Sequence, residues 1–500
     1  MRKRAILLTV ALSTALGACN MAPHYVRPAL PVPEAMPVPE TVSEAPAEPG
    51  PAQTPAADLA WEHFFTEPKL QGVIRLALDN NRDLRVALAN VEQARALYRV
   101  QRAEAFPALD AHGSATYQDS PAGMSANPAT PGGRSDSYTA SIGISAWEID
   151  LFGRVRNLNE AARQQYFASA ENRNASETAL IAEVATAWLT VAADHDGLRI
   201  ARDIERAFGE TLARVKARFD KGIASELDVR QAQTSYDQAR SDVAEGITRL
   251  DQARNALNLL AGTIVPADRL PDSLPASGAT LPRLPGNLPS EILYRRPDIA
   301  AAEHQLRAAN ANIGVARAAF FPRISLTAAL GTISSGLSNL FGKGSDYWSV
   351  TPEASLSIFD FGRNQGNLRY SKASRNAMLA SYEKAIQTGF REVADALSRR
   401  GTIDTQLDAQ ISLRDGAAAA YRLSEARFRS GIDPFLNTLA AQRTLHGAEQ
   451  SLLSTRLAKE TNAVALYRAF GGDVSLLIPN RESTPNPDRI HLDNKQQSQK

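Results

Sequence analysis

The chain has 500 residues, a formal net charge of +1 from 55 Lys and Arg against 54 Asp and Glu, and one cysteine. The balanced charge gives no argument for a nucleic-acid partner, and a single thiol excludes an intrachain disulfide and a cysteine metal site. No later segment carries the roughly eighteen continuous apolar residues of a transmembrane helix, so a membrane crossing would have to use strands.

The N-terminus carries the features of an export signal followed by a lipid anchor. Basic residues and an apolar run from Ala5 to about Ala15 predict a signal peptide over residues 1–18. Cys19 follows the letters LGA, which resembles a bacterial lipobox, so we expect a covalent lipid on Cys19 and no other cofactor. Asn20, rather than Asp, at the next position favours sorting to the outer membrane.

Three segments have compositions that do not build a core. Residues 19–57 are rich in Pro, Ala and Glu, which predicts a surface tether behind the lipid. Residues 266–290 are Pro-rich and predict a linker, and residues 473–500 predict an equatorial segment followed by a disordered tail. We expect the linker, residues around 59–75 and the C-terminal segment to form a belt around the long helices predicted below.

Internal repeats organise the rest of the chain. The letters FGR at Phe152 return 209 residues later at Phe361, and ARFDKGI returns at the same spacing as ARFRSGI. Further upstream, FPALDAHGSA pairs with FPRISLTAAL at a spacing of 215 residues. The sequence therefore predicts two copies of one unit, over residues 58–265 and 291–472.

Each copy begins with a helix and ends with a long helical stretch that contains almost no proline. Because proline is expelled from helix interiors, the stretches 153–262 and 362–471 predict long helices, each folded back at a tip. Their apolar residues recur in a heptad-like pattern, which is typical of helices packed side by side.

Before each helical stretch, the period of apolar residues changes from about 3.5 to 2, which predicts strands with one apolar face. Two such strands are expected near residues 106–150 and two near 321–360. Strands of about ten residues with this alternation suit a transmembrane barrel, but four cannot enclose an aqueous channel. Either the sheet caps a soluble fold, or several chains contribute to one barrel.

The sequence does not support an enzymatic function, because the motifs that an active site would require are absent. Asp360, Phe361 and Gly362 spell the metal-binding letters of protein kinases, but the glycine-rich loop and the H-R-D motif are absent. The histidines are scattered, and the one local acidic cluster, Asp194 to Asp196, is interpreted as a surface patch. We expect that the chain is not an enzyme and binds no metal.

The chain resembles the TolC-like outer-membrane efflux channels, in the lipoprotein branch that serves tripartite drug pumps. The resemblance runs through nearly the whole mature chain, and it rests on these segments: WEHFFTEPKLQGVIRLALDNNRDLRVA, LYRRPDIAAAEHQLRAANANIGVARAAFFPRISL, FDFGRNQG, RFRSGIDPFLNTLAAQRTLHGAEQSLL and ALYRAFGGD. It implies a mixed α+β membrane protein, a homotrimer in which each chain gives four strands to a twelve-stranded outer-membrane β-barrel. The barrel would continue into a long α-helical periplasmic barrel.

The resemblance also implies a function and partners. The chain would be the outer-membrane exit duct of an RND-type efflux pump, conducting small molecules such as drugs passively from the periplasm to the exterior. Its partners would be two further copies of itself, a periplasmic adaptor protein, an inner-membrane RND pump and outer-membrane lipid. Two alternatives are an outlet for type I protein secretion and a lipid-anchored coiled-coil spacer without a lumen.

Two groups of site residues follow from the resemblance. The corners where strands become tunnel helices are expected at Phe152, Gly153, Arg154, Phe361, Gly362 and Arg363. The glycines would supply an unusual backbone conformation there, the phenylalanines would lie near the membrane interface, and the arginines would lie near headgroups or carboxylates.

The periplasmic gate is expected at the opposite ends of the helices. Its tip turns would lie at Phe219, Gly222, Phe428 and Gly431, and its latch residues would be Asp228, Phe428, Asp433, Asn437 and Arg443. Ala440 stands where the family usually places an Asp, so the carboxylate ring at the constriction would be weaker, with Asp433 and Asn437 as possible substitutes. The alternative is that Asp228, Asp433 and Arg443 are ordinary solvated residues.

Overall fold

The computed structural model describes residues 20–44, 61–120, 133–275, 284–285 and 288–472. The predicted signal peptide, Cys19, residues 45–57 of the tether and the C-terminal segment 473–500 lie outside the described residues. The described residues group into two compact units. The sheet unit draws on the described parts of Met1–Val32, Arg82–Glu177 and Leu293–Gly389, and the hairpin unit draws on the described parts of Pro33–Asn81, Thr178–Ile292 and Phe390–Lys500.

These units do not coincide with the two repeats of the sequence, because each unit contains segments of both copies. The helices of the described chain are α1 Trp61–Phe64, α2 Pro68–Asn80, α3 Arg82–Ala103, α4 Arg154–Asp220, α5 Glu226–Ala261, α6 Pro297–Ala318, α7 Arg363–Arg429 and α8 Phe435–Ala469. The two longest, α4 and α7, each have 67 residues and begin at equivalent positions of the two repeats. A helix of this length is far above the usual size, so its stability must come from packing along its length.

The strands are β1 Ser43–Glu44, β2 Leu109–Ser120, β3 Gly133–Glu148, β4 Leu284–Pro285, β5 Arg323–Ser334 and β6 Asp346–Ser355. Four of them form an antiparallel sheet in the order β2-β3-β5-β6. The two repeats therefore meet between β3 and β5, and β2 and β6 are the edges. The short β1 and β4 pair in parallel within the hairpin unit, a contact that the sequence did not predict.

One face of the four-stranded sheet is apolar, as the alternation predicts. Directly opposed residues lie on the same face, and the register aligns Ala111, Ile142, Leu330 and Trp348 in one row across all four strands. The ring of Trp348 is 75% exposed. The row on the opposite face contains Asp110, Gly143, Ala329 and Ser349. The protomer thus presents an uncovered apolar sheet face.

A bulge in β3 keeps this alternation intact near the end of the strand. The register shifts between Ile144 and Trp147, and Ala146 adopts a positive φ of 48° there. The extra residue places Trp147 opposite Leu326 on the apolar face and Glu148 opposite Ser325 on the polar face. The bulge therefore aims a carboxylate at the junction with α4.

Strand β6 ends earlier than the alternating sequence predicted. The pattern of apolar residues continues to Ile358, but the strand stops at Ser355. Its partner β5 begins at Arg323, which lies opposite Ser355, and the two residues before it, Phe321 and Pro322, are not part of the strand.

Candidate functional site

The first strand-to-helix corner is closed by side chains of its own chain. Gly153 has a φ of +76° at the start of α4. The guanidinium of Arg154 donates two hydrogen bonds of 2.7 Å to the Glu148 carboxylate, which also accepts from Arg323 at the start of β5. The half-buried ring of Phe152 stacks on Phe321, with ring centroids 4.7 Å apart.

The second corner has the same backbone elements but lacks such side-chain partners. Gly362 has a φ of +84°, and Phe361 also lies in the left-handed region with a φ of +52°. The carboxylate of Asp360 accepts from the N–H groups of Gly362 and Asn364 at 2.9 and 3.0 Å. Asp360, the residue of the kinase-like letters, therefore caps α7, and the ring of Phe361 is 91% exposed. Arg363 is the first residue of α7.

The two helix tips share one backbone motif. At the end of α4, Gly222 donates to the carbonyl of Phe219 at 2.8 Å, and Ile223 donates to the carbonyl of Arg218 at 2.9 Å. Equivalent bonds close α7, from Gly431 to Phe428 at 3.0 Å and from Ile432 to Arg427 at 2.9 Å. Both glycines have a φ of +73°. Each tip is a Schellman motif, which requires a left-handed residue after the helix.

Beyond the glycine, the first tip continues with a capping box. The N–H of Ser225 donates to the Asp228 carboxylate at 3.0 Å, and the N–H of Asp228 donates back to the Ser225 hydroxyl at 3.1 Å. The structure thus places the predicted latch residue Asp228 at the N-terminus of α5, where it satisfies a backbone donor.

The second tip replaces the capping box with an ion pair. Helix α8 begins behind Pro434, which offers no side-chain cap. Instead, the guanidinium of Arg427 donates to both carboxylate oxygens of Asp433, at 2.7 and 3.0 Å. These hydrogen bonds lower the pKa of Asp433. Asn437 lies in the first turn of α8, and its N–H donates to the carbonyl of Pro434 at 3.2 Å.

Side chains also connect the two helix pairs. Arg443 donates to the hydroxyl of Ser235 on α5 at 2.8 Å, so the structure does not bring it together with Asp228. Arg218 lies over the ring of Phe428, 4.9 Å from its centroid. Both tips share an apolar cluster that includes Phe208, Leu212, Val215, Phe435 and Leu439.

Sequence reasoning missed Arg427, Arg218 and Ser235. The repeat itself contained a signal for the two arginines, since they occupy equivalent positions 209 residues apart. The interpretation of Asp194 to Asp196 as a surface patch was wrong for Asp196. This residue is buried, because the chain at Leu274 covers it and donates an N–H to its carboxylate at 3.0 Å.

The N-terminal segment is fastened to α6 within the sheet unit. Glu303 is buried and accepts hydrogen bonds from Arg27 at 3.0 and 2.8 Å, from Arg307 at 2.6 Å and from the Tyr25 hydroxyl at 3.2 Å. Burial acts to raise the pKa of Glu303, but the hydrogen bonds from the two arginines offset it and lower the pKa. Arg317 also donates to the carbonyl of Met21 at 3.1 Å, so the chain is held within two residues of the predicted lipid anchor.

Within the described ranges, no group of three or more His, Cys, Asp or Glu side chains is placed to hold a metal ion. None of the described helices combines the length and the apolar character needed to cross a membrane.

Comparisons with known proteins identify the family. The model of the family described as outer membrane efflux protein matches residues 73–263 and 288–472. The chain is 43% identical to the probable efflux pump outer membrane protein TtgC of Pseudomonas putida over 457 residues, covering 91% of this chain and 93% of the relative. It is 41% identical to outer membrane protein OprJ of Pseudomonas aeruginosa over 477 residues, covering 94% and 97%.

Solved structures show the same fold. A membrane protein from Pseudomonas aeruginosa superposes with a TM-score of 0.82 at 39% identity, covering 91% of this chain and 98% of that one. The open state of the Neisseria gonorrhoeae MtrE outer membrane channel superposes with a TM-score of 0.76 at 35% identity, covering 91% and 99%. The predicted fold class is confirmed: four strands per chain form a trimeric outer-membrane barrel that continues into a periplasmic helical tunnel. The chain belongs to the outer membrane efflux protein family.

Proposed function

We propose that this chain is the outer-membrane exit duct of a tripartite RND-type efflux pump, and that its helix tips gate it. The observation that carries the proposal is a sheet with an uncovered apolar face and two unpaired edges, joined directly to 67-residue helices. In a soluble spacer this apolar face would be exposed to water, whereas a barrel shared between protomers in lipid requires an apolar outer face.

The names of relatives suggest the class of solute. Among the relatives are an antibiotic efflux pump protein, a toluene efflux pump protein and a solvent efflux pump protein, all of Pseudomonas putida and each 43% identical to this chain. We infer that small, largely apolar organic molecules pass through the duct. The duct would be passive, and the inner-membrane pump would supply the energy.

The tips are the proposed docking site of the periplasmic adaptor. Both tips expose apolar side chains at equivalent positions: Ile223 and Leu227 on the first, Ile432 and Leu436 on the second. Exposed apolar residues clustered at a helix end are typical of a protein interaction site. Because the pattern occurs in both repeats, a trimer would present six similar contacts to its partner.

The proposed gate lies at the second tip. An exposed ion pair contributes little to stability, so three copies of Arg427 and Asp433, one in each protomer, would form a weak latch. Such a latch suits a gate that a partner opens by binding the open state more tightly. The pair of Arg427 and Asp433 lies within one tip, and links between protomers through Asp228, Asn437 and Arg443 remain predictions.

The lipid anchor on Cys19 is also a proposal. It is supported by the contacts that Glu303, Asn310 and Arg317 make with the segment just after it. Helix α6 leads directly into β5, so these contacts hold the N-terminus close to the end of a membrane strand. A lipid attached there would reach the inner leaflet of the outer membrane.

Deletion of the gene in its native bacterium tests the proposed function. We expect intracellular accumulation of a fluorescent dye to rise on deletion and to return to its original level with the wild-type chain. The double variant Ile432→Glu, Leu436→Glu should fail to restore efflux, whereas Ile432→Val, Leu436→Ile should restore it. Unchanged dye accumulation with loss of a protein from the culture medium would instead support the secretion outlet.

A further inference from the structure

The two strand-to-helix corners of the sheet unit are equivalent in sequence, but only the first is covered by side chains of a neighbouring strand. In the first corner, the start of the neighbouring strand β5 supplies Phe321 and Arg323, which contact Phe152 and Glu148. In the second corner, the equivalent of Phe152 is Phe361, whose ring contacts Phe359 at a centroid distance of 4.5 Å and is otherwise exposed.

The topology explains this difference. The first corner follows β3, which has β5 beside it within the same chain. The second corner follows β6, which is an edge strand. In a closed barrel the strand beside β6 is β2 of a neighbouring protomer, because β2 is the other edge and a barrel has no free edges. The side chains missing from the second corner must therefore come from a second copy of the chain.

The internal repeat identifies which residue of the neighbouring protomer would lie beside Phe361, as Phe321 lies beside Phe152. Phe106 and Pro107 before β2 are the equivalents of Phe321 and Pro322 before β5, at the spacing of 215 residues. Phe106 is 64% exposed within its own chain. It is an aromatic ring without a covering partner, placed at the base of the edge strand that the barrel requires beside β6.

We propose that Phe106 of one protomer stacks on Phe361 of the next, closing the second corner as Phe321 closes the first. The inference rests on the trimeric barrel of the family and not on the transported solute.

The contact between protomers differs chemically from the contact within the chain. The equivalents of Glu148 and Arg323 are Ser357 and Ala108, so the ion pair of the first corner has no counterpart. Of the two contacts that close the first corner, the second corner would therefore repeat only the aromatic pair. Three such pairs would join the base of the barrel, where each chain passes from lipid into the periplasm.

Cross-linking tests the geometry directly. The double variant Phe106→Cys, Phe361→Cys, in trimers extracted from membranes, is treated with a short bifunctional maleimide and separated on a denaturing gel. We expect covalent trimers from the double variant and monomers from each single variant, which also control for Cys19. The matched pair Phe152→Cys, Phe321→Cys should react within one chain and run as a monomer with the mass of one added linker. If the control pair reacted but the pair at positions 106 and 361 gave no product between chains, the proposal would be overturned.

A second measurement does not depend on thiol chemistry. We expect Phe106→Leu and Phe361→Leu each to lower the temperature at which the trimer dissociates in detergent, and the double variant to lower it no further. Phe341→Leu, an exposed ring in the connection between β5 and β6 at the opposite end of the strands, should leave it unchanged. Additive losses from the two variants would show that the rings do not contact each other.

Discussion

The two helix tips of the hairpin unit began as copies of one sequence and now use different interactions. Both end their first helix with a left-handed glycine and the same pair of backbone hydrogen bonds. The first tip then starts its next helix with the capping box of Ser225 and Asp228, and the second starts behind Pro434 and relies on Arg427 and Asp433.

This difference separates a rigid tip from an adjustable one. A capping box satisfies backbone donors within four residues, so it forms whenever the helix forms. An exposed ion pair is weak and is screened by salt, so it can be broken without unfolding a helix. We therefore propose that duplication has produced one fixed hairpin and one that a partner can move.

The largest effect is expected from the shared glycines, where the two tips should respond alike. Gly222→Ala and Gly431→Ala each force a left-handed conformation on a residue with a Cβ atom, at a cost of about 1–2 kcal/mol. Hydrogen exchange at Ile223 and Ile432, which donate the closing bonds, reports the two tips separately. Clearly unequal losses of protection would contradict the common motif.

A smaller effect should appear at the first tip alone. Ser225→Ala removes the acceptor for the Asp228 N–H and should destabilise the start of α5 by about 1 kcal/mol. Ser225→Thr keeps the hydroxyl and serves as the matched control. Faster exchange at Asp228 in the alanine variant only, with Ile432 unchanged, is the expected result. Equal exchange in both variants would argue against the cap.

Salt should act on the second tip alone. Raising sodium chloride from 0.1 to 1 M shortens the Debye length from about 10 to 3 Å, which screens the exposed pair of Arg427 and Asp433 and weakens it. Protection at Ile432 should fall in the wild type and not in Arg427→Gln, and Ile223 should not respond. If the Arg427→Gln variant still responded to salt, the response would have to come from other charges.

Acid should have a similar, small effect. Because the hydrogen bonds from Arg427 lower the pKa of Asp433 in the folded tip, the pair stabilises the tip above the ordinary aspartate pKa of about 3.9. That contribution is lost as the pH falls through the lowered folded value. Chemical shifts of Asp433 followed below about pH 4 measure this, and Arg427→Gln should move the midpoint upward.

Much of this architecture follows from the sequence. The repeats, the long helices and the alternating strands were predictable because each depends on a local period or on the placement of proline. The end of β6 at Ser355 was not predictable, because it depends on where its partner β5 begins. The parallel contact of β1 and β4 joins segments about 240 residues apart, which no local pattern reveals.

The candidate site was only partly predictable for the same reason. The letters FDKG and FRSG located both tips, and the glycines indicated their left-handed turns. The partners of individual side chains depend on packing: Asp228 binds Ser225, and Arg443 binds Ser235 on another helix. The buried Glu303 holds the N-terminal segment through Arg27, which lies 276 residues away in the sequence. No local pattern could predict that contact.

Single-channel conductance of purified trimers in a planar bilayer tests the central claim most directly. We expect a small conductance for the wild type, a clear increase for Arg427→Gln, and no change for Ser225→Ala, because the proposed gate lies at the second tip. Equal conductance in all three proteins, or an increase in Ser225→Ala as large as in Arg427→Gln, would contradict the assignment of the gate. Well-folded trimers that pass no current in any variant would contradict the channel itself.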